Sequence, residues 1–213
     1  MIKNIFFDFD GVIVNSNNIK TKAFLDLYKN CDKNILKKIK EHHINNGGMS
    51  RFDKINFYHK NFLKEKINKK KIQELSNIFS KYVFKKVVKS KFMPGFKNFI
   101  NNNSYYNLYI ISATPEEELK KISLQKKISI FFKGIYGSPK YKKNIIMDII
   151  NKNKYKKKEC LFIGDSINDL EAANKTQINF LCFGNDFKSH KYKHLNKINN
   201  FSKLKKIIKM YEN

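Results

Sequence analysis

The chain has 213 residues, 41% hydrophobic and 14% aromatic with no Trp. That is enough for one sizeable core or a core with an insert, and it argues against disorder. The net charge is +26, which points first to nucleic acid, but of 44 basic residues only Arg51 is not Lys. Base readout and bidentate phosphate grip favour Arg. The charge therefore reads as a solvated lysine surface whose field suits an acidic substrate, with no nucleic-acid partner. Cys31, Cys160 and Cys182 are far apart and form no CxxC. They read as reduced structural residues of a cytoplasmic protein. No apolar run reaches the ~18–20 residues of a membrane span, and the N-terminus enters a strand rather than a signal peptide.

The first element is the apolar run Asn4–Phe7, followed by Asp8, Phe9, Asp10 and Gly11. Further short runs of strand character are Leu108–Ile111, Leu161–Ile163, Phe180–Phe183 and, more weakly, Gly134–Tyr136. Buried parallel strands have this composition. Helical patterns follow them. "ATPEEELKKI" (113–122) carries Thr114 as the expected N-cap, Pro115 at the first helical position and three Glu in the first turn. "KNIIMDIINK" (143–152) places Ile145, Ile146, Ile149 and Ile150 on one face. The tail repeats this with Leu204, Ile207, Ile208 and Tyr211. Alternation of β and α predicts a doubly wound parallel sheet.

From about 17 to 90 the alternation stops and every segment has helical period: Ile19, Ala23, Leu27; then Phe52, Ile55, His59, Phe62; then Ile72, Leu75, Phe79, Tyr82. The expected division is a core of 1–16 and 91–213 with a helical cap of 17–90. Ligands of an open α/β sheet bind at the carboxyl ends of its strands, and an insert after the first strand overlies that edge.

Asp8 and Asp10 stand at that edge. Side chains two apart on a strand share a face, so the carboxylates converge unless Gly11 starts the turn early. Two like charges need an offset, and a hard divalent cation such as Mg²⁺ supplies one. "FIGDSINDLEAA" (162–173) adds Asp165 and Asp169 at a second strand end. In "YIISATP" (109–115), Ser112 and the backbone N–H groups after it, from Ala113 on, can hold a phosphate oxygen. Lys140, Lys142 and Lys143 in "GSPKYKKN" (137–144) compete to supply the positive charge a phosphoryl group needs in transit.

Arg51 follows a turn, Asn46–Gly48, and Ser50, an N-cap with Asp53 three residues on. A cation in the first helical turn opposes the helix dipole by roughly 0.3–1 kcal/mol. A bound anion resolves that conflict, so Arg51 is expected to reach the substrate. None of the five histidines shows ligand spacing; the neighbours His42 and His43 point about 100° apart on a helix.

The four pieces in this order resemble the haloacid dehalogenase superfamily of phosphotransferases: "NIFFDFDGVIVNS", a strand ending in Ser112, a Lys before an amphipathic helix, and "GDSINDLEAA". The insert is similar to the helical cap of phosphoglycolate phosphatase-like and β-phosphoglucomutase-like members. The resemblance implies a Rossmann-like core and a Mg²⁺-dependent phosphatase acting on a small phosphorylated metabolite, a sugar phosphate or a phosphorylated carboxylic acid. A sugar phosphomutase is the alternative. It makes Asp8 the nucleophile and Asp10 the general acid and base. It makes Asp8, Asp10 (through its carbonyl) and Asp165 the Mg²⁺ ligands, and Asp169 a residue that orients Asp165 or the lysine. Ser112, Ala113 and Lys142 bind phosphate, with Lys140 as the fallback; Arg51 and Lys20 meet the substrate from the cap. Asp10 favours phosphoryl transfer over carbon–halogen cleavage, which needs no acid at that position. Many members have Asp where this chain has Asn15, outside the catalytic pair. A monomer is expected.

Overall fold

The computed structural model describes residues 1–184 and 192–211. Six parallel strands form one sheet in the order β3-β2-β1-β4-β5-β6. They are β1 (Asn4–Phe7), β2 (Asn107–Pro115), β3 (Gly134–Ser138), β4 (Cys160–Gly164), β5 (Asn179–Phe183) and β6 (Lys197–Ile198). The five apolar runs all become strands. The sixth is two residues long and carries no periodic signal.

β1 lies at the centre and its four residues are all buried. Its side chains divide between the two faces of the sheet. Phe7 packs edge-on against Phe96, Phe99 and Phe132, while Phe6 joins Tyr109, Ile145, Ile149 and Phe162 on the other side. A strand covered on both faces is apolar on both, which is why Ile5–Phe7 show no alternation; the buried Asn4 at its start is satisfied by Asn107 Nδ2, which donates to Asn4 Oδ1 at 2.7 Å. The strand order reverses at β1, between β2 and β4. The carboxyl ends of β1 and β4 therefore flank a topological switch point, where such sheets bind ligands.

The helices of the core are α5 (Phe96–Asn101), α6 (Glu116–Gln125), α7 (Lys142–Asn153), α8 (Ile167–Thr176) and α9 (Leu204–Lys209). α7 buries Ile145, Ile146, Ile149 and Ile150, the face its spacing predicts. α6 begins one residue later than expected. Thr114 belongs to β2, Pro115 takes the N-cap position and the helix opens at Glu116. Thr114 is not the cap because its hydroxyl is engaged elsewhere, as described below.

Between β1 and β2 the chain forms α1 (Asn17–Leu27), α2 (Lys33–Asn45), α3 (Arg51–Tyr58), a π-helical turn at His59–Leu63, and α4 (Lys69–Lys89). These pack on one another around Phe24, Tyr58 and Phe79; the Phe24 and Phe79 rings lie 4.5 Å apart. α4 also packs on α6, so the insert rests on the core. None of the three cysteines is in a disulfide. Among the described residues no helix is long and apolar enough to cross a membrane.

Candidate active site

Asp8 extends β1 by one residue: its N–H donates to the Ile163 carbonyl of β4 at 2.9 Å. The chain then turns sharply, with Gly11 N–H donating to the Val14 carbonyl at 2.8 Å. Gly11 has φ +81°, and a Cβ there would stand 2.0 Å from Asp165 Oδ2. Only glycine allows the turn after β1 to approach the carboxylate after β4 this closely.

The early turn separates Asp8 from Asp10. Convergence of the two carboxylates, the prediction of strand alternation, gives way to two distinct networks. Asp8 faces Lys142, whose ammonium lies 2.9 Å from Asp8 Oδ1, an ion pair without good hydrogen-bond alignment. The same ammonium donates to Asp169 Oδ1 at 2.5 Å. Asp169 in turn accepts from Ser166 N–H and Oγ, so α8 is capped by Ser166 rather than by Asp165. Asp10 faces the other way. Its Oδ1 accepts from Ser16 Oγ at 2.6 Å, and its Oδ2 accepts from Thr114 Oγ1 at 3.0 Å and from Lys20. Lys20 also donates to Thr114 Oγ1 at 2.7 Å.

These surroundings hold the two carboxyls at different proton affinities. Burial raises Asp8 above the usual carboxylate range; the Asp169 and Asp10 charges add to this, and Lys142 only partly counters it. For Asp10, burial is again the largest influence, but the Lys20 charge and hydrogen bonds from Lys20, Ser16 and Thr114 together carry it below its ordinary value. Asp165 is raised well up by burial and by the Asp8 and Asp169 charges. Burial works against the Lys142 ammonium, but Asp169 and Asp8 overcome it and hold it firmly protonated.

Carboxylate oxygens of Asp8, Asp165 and Asp169 lie within 4.8 Å of one another. Asp169 is already committed to Lys142 and Ser166. Asp8 and Asp165 remain, two crowded acids whose charged forms Lys142 and the Asn17 amide compensate only in part. Mg²⁺ is commonly bound through one or two carboxylates with several waters, so this donor set fits it. The Asp10 carboxylate stands outside the cluster, held by Lys20, Ser16 and Thr114; its carbonyl is the only part of it that the expected ligand set uses.

Of the competing lysines, Lys142 is brought to Asp8. Lys140 is exposed and pairs with Asp148. Ser112 is buried, and its Oγ accepts from Thr114 N–H at 3.2 Å, which occupies one of the N–H groups expected to face a phosphate. Ser112 and Ala113 still line the cavity of about 780 Å³ at this strand edge, with Asp8, Asp10, Asp165 and Lys20.

Arg51 departs from expectation. Ser50 caps α3 and Arg51 opens it, as the motif predicts. The anion beside it belongs to the chain: Nη1 and Nη2 grip Glu118 of α6 at 2.8 and 2.7 Å, Nη1 reaches Ser80 Oγ at 2.6 Å, and the guanidinium stacks 4.5 Å over Phe79. Three of its five N–H donors are taken by Glu118 and Ser80, while the side chain still lines the cavity. Sequence offered a signal for Glu118, since it stands four before Ile122 on the buried face of α6. Ser16 and Thr114, which fix Asp10, were marked in sequence only as the last residue of the first motif and as an N-cap, and Lys54, which lines the cavity from α3, carried no signal that separates it from other Lys residues. His190 lies outside the described residues.

The insert meets the site through the turn at Gly47–Gly48. Asn168 Nδ2 donates to the Gly47 carbonyl at 2.5 Å. A Cβ on Gly48, at φ +74°, would stand 2.6 Å from Ser166 Oγ.

The haloacid dehalogenase-like hydrolase model matches residues 5–183. No curated protein matches the chain. Solved structures do. A β-phosphoglucomutase from Clostridium difficile superposes with a TM-score of 0.78 at 18% identity, covering 100% of this chain and 98% of that one. A structure described as a predicted phosphoglycolate phosphatase from Haemophilus somnus gives 0.73 at 18% identity, covering 97% and 98%. A haloacid dehalogenase-like hydrolase from Streptococcus pneumoniae gives 0.70 at 21% identity, covering 97% and 98%. At these identities the structures speak for the fold, whereas the family model spans both acidic strand ends and most of the chain. The chain belongs to the haloacid dehalogenase-like hydrolase family.

Proposed function

We propose that this chain is a Mg²⁺-dependent phosphatase of small phosphorylated metabolites, working through an aspartyl-phosphate on Asp8. The observation that carries the reading is the division of labour between Asp8 and Asp10. One carboxylate faces a buried lysine and two further acids; the other is held by Lys20, Ser16 and Thr114.

In the first half-reaction an Asp8 oxygen attacks phosphorus while the bond to the leaving oxygen breaks, and that oxygen takes a proton from Asp10. In the second, Asp10 takes a proton from water, water oxygen attacks phosphorus, and Asp8 leaves as a carboxylate. The sum is a phosphomonoester and water giving an alcohol and inorganic phosphate. Lys142 holds positive charge at the nucleophile throughout. Ser112 and Ala113 line the pocket that receives the phosphoryl oxygens. Asp8, Asp165 and the Asp10 carbonyl would hold Mg²⁺, which would supply charge that offsets the crowded acids and the phosphoryl oxygens. Asp10 is ready to accept a proton as it stands. To donate one it must first be protonated, which the Lys20 ammonium disfavours. Lys20 belongs to α1, so movement of the helical insert couples to the proton state of Asp10. Residues 17–90 then work as a cap that excludes water from the cavity.

The test is phosphate release with Mg²⁺ from a panel of phosphorylated metabolites, with Asp8→Asn as the blank. Release by the wild type alone supports the reading. Equal release by both proteins, or none by either, contradicts it, and isomer formation without phosphate release points to a mutase.

A further inference from the structure

Among the described residues four cations, buried or half-buried, surround the site, and three of them hold a carboxylate: Lys142 has Asp8 and Asp169, Lys20 has Asp10, and Arg51 has Glu118. The fourth is Lys54 on α3. It is 3% exposed, lines the cavity, and has no acidic partner among the described residues. Its ammonium donates to His43 Nδ1 at 2.9 Å and to the His43 carbonyl at 3.2 Å, and it lies 5.7 Å from the centre of the Phe24 ring. An ammonium has three N–H donors, and His43 takes two.

We propose that Lys54 is a specificity-determining residue that pairs with a second anionic group on the leaving-group side of the substrate. The substrates are then small phosphomonoesters that also carry a carboxylate or a second phosphate. The inference rests on the phosphatase reading above and narrows it.

Three observations carry it. An isolated buried cation is costly, and an apolar side chain would pack there without that cost. His43 provides no charge: burial, with Lys54 and Lys20 nearby, pushes its imidazolium down to about 2, so the ring is neutral and its Nδ1 accepts from the ammonium. Lys54 lines the same cavity as Asp10 and Lys20, and its ammonium lies beside Phe24, one turn after Lys20 on α1. That sets it on the side of the residue that protonates the leaving oxygen, whereas the phosphoryl group lies with Asp8 and Lys142. A substrate anion beside Lys54 would complete the pairing that the other three cations already have.

The experiment compares kcat/KM with Mg²⁺ for matched pairs. One arm sets a phosphorylated hydroxycarboxylate against its neutral alkyl phosphate; a second sets a sugar bisphosphate against the monophosphate. The wild type is expected to favour the doubly anionic member of at least one pair by about tenfold or more, through KM, and the arm that shows it identifies the group. Lys54→Met should collapse that ratio and Lys54→Arg should restore most of it; a ratio measured within one protein is insensitive to partial misfolding. Equal kcat/KM within both pairs in the wild type, or a preference that survives in Lys54→Met, overturns the proposal while general phosphatase activity stands. Absence of turnover on every phosphomonoester overturns the phosphatase reading and this inference with it.

Discussion

Arg51 of the insert and Glu118 of the core form a bidentate pair at 2.7 and 2.8 Å, buried on both sides. It is the ion pair by which α3 is tied to α6. Removing one member strands the other charge in low dielectric, at a cost of about 3–5 kcal/mol. Arg51→Met and Glu118→Met should therefore each lower stability in urea unfolding by that order. The double variant should regain much of the loss, because two apolar side chains leave no orphan charge. Independent, additive losses would mean that the pair is not coupled in solution.

Lys142 carries the positive charge at Asp8. Lys142→Met should lower kcat by about 10²–10³, the range for losing one preorganised electrostatic partner. Lys140→Met should leave kcat within about twofold, since Lys140 is exposed on Asp148. Steady-state kinetics on the two variants separates these lysines directly.

Gly11→Ala places a methyl group 2.0 Å from Asp165 Oδ2 at a φ of +81°. The left-handed backbone alone costs Ala about 1 kcal/mol. The clash displaces the Asp165 carboxylate from its place in the acidic cluster. Mg²⁺ affinity, read by titration of the folded protein, should fall at least about tenfold, with a measurable loss of stability.

Burial, with Lys20 nearby, pushes Lys54 down to about 7 from its ordinary value near 10.5, against an opposing pull from Asp10. Between these values the unfolded chain holds a proton that the folded chain has released, so stability rises with pH across about 7 to 10.5 on this account. Below about 7 both states are protonated and the full cost of burying the charge is felt. Lys54→Met should then be more stable than the wild type at pH 6 to 7, with an advantage that shrinks as pH rises toward 10. Chemical denaturation at a series of pH values checks the sign. An advantage that grows with pH would contradict it.

The legible parts of the sequence were those where one rule acts alone. A buried central strand is apolar on both faces, and the run that ends in Ile5–Phe7 is β1, with only Asn4 at its start polar and hydrogen-bonded. The acidic strand ends mark the ligand edge because little else tolerates Asp8 and Asp165 there. Legibility failed where two rules compete for one side chain. Thr114 has the chemistry of an N-cap, but its hydroxyl satisfies Asp10 and Lys20, and Pro115 moves to the cap. Arg51 does call for an anion, yet sequence could not reveal that Glu118, 67 residues on, provides it. Lys54 was one lysine among many, and only its burial without an acid sets it apart.

The central claim is that Asp8 becomes covalently phosphorylated while Asp10 moves protons. The most direct measurement is peptide mass analysis after rapid quench of the Asp10→Asn variant turning over a phosphomonoester with Mg²⁺. With an aryl phosphate, whose leaving oxygen needs no proton from Asp10, that variant keeps the nucleophile and lacks only the base that activates water, so one phosphoryl group should accumulate on Asp8 and be lost slowly. A phosphoryl group on another residue, or hydrolysis that persists in Asp8→Asn, would contradict the claim.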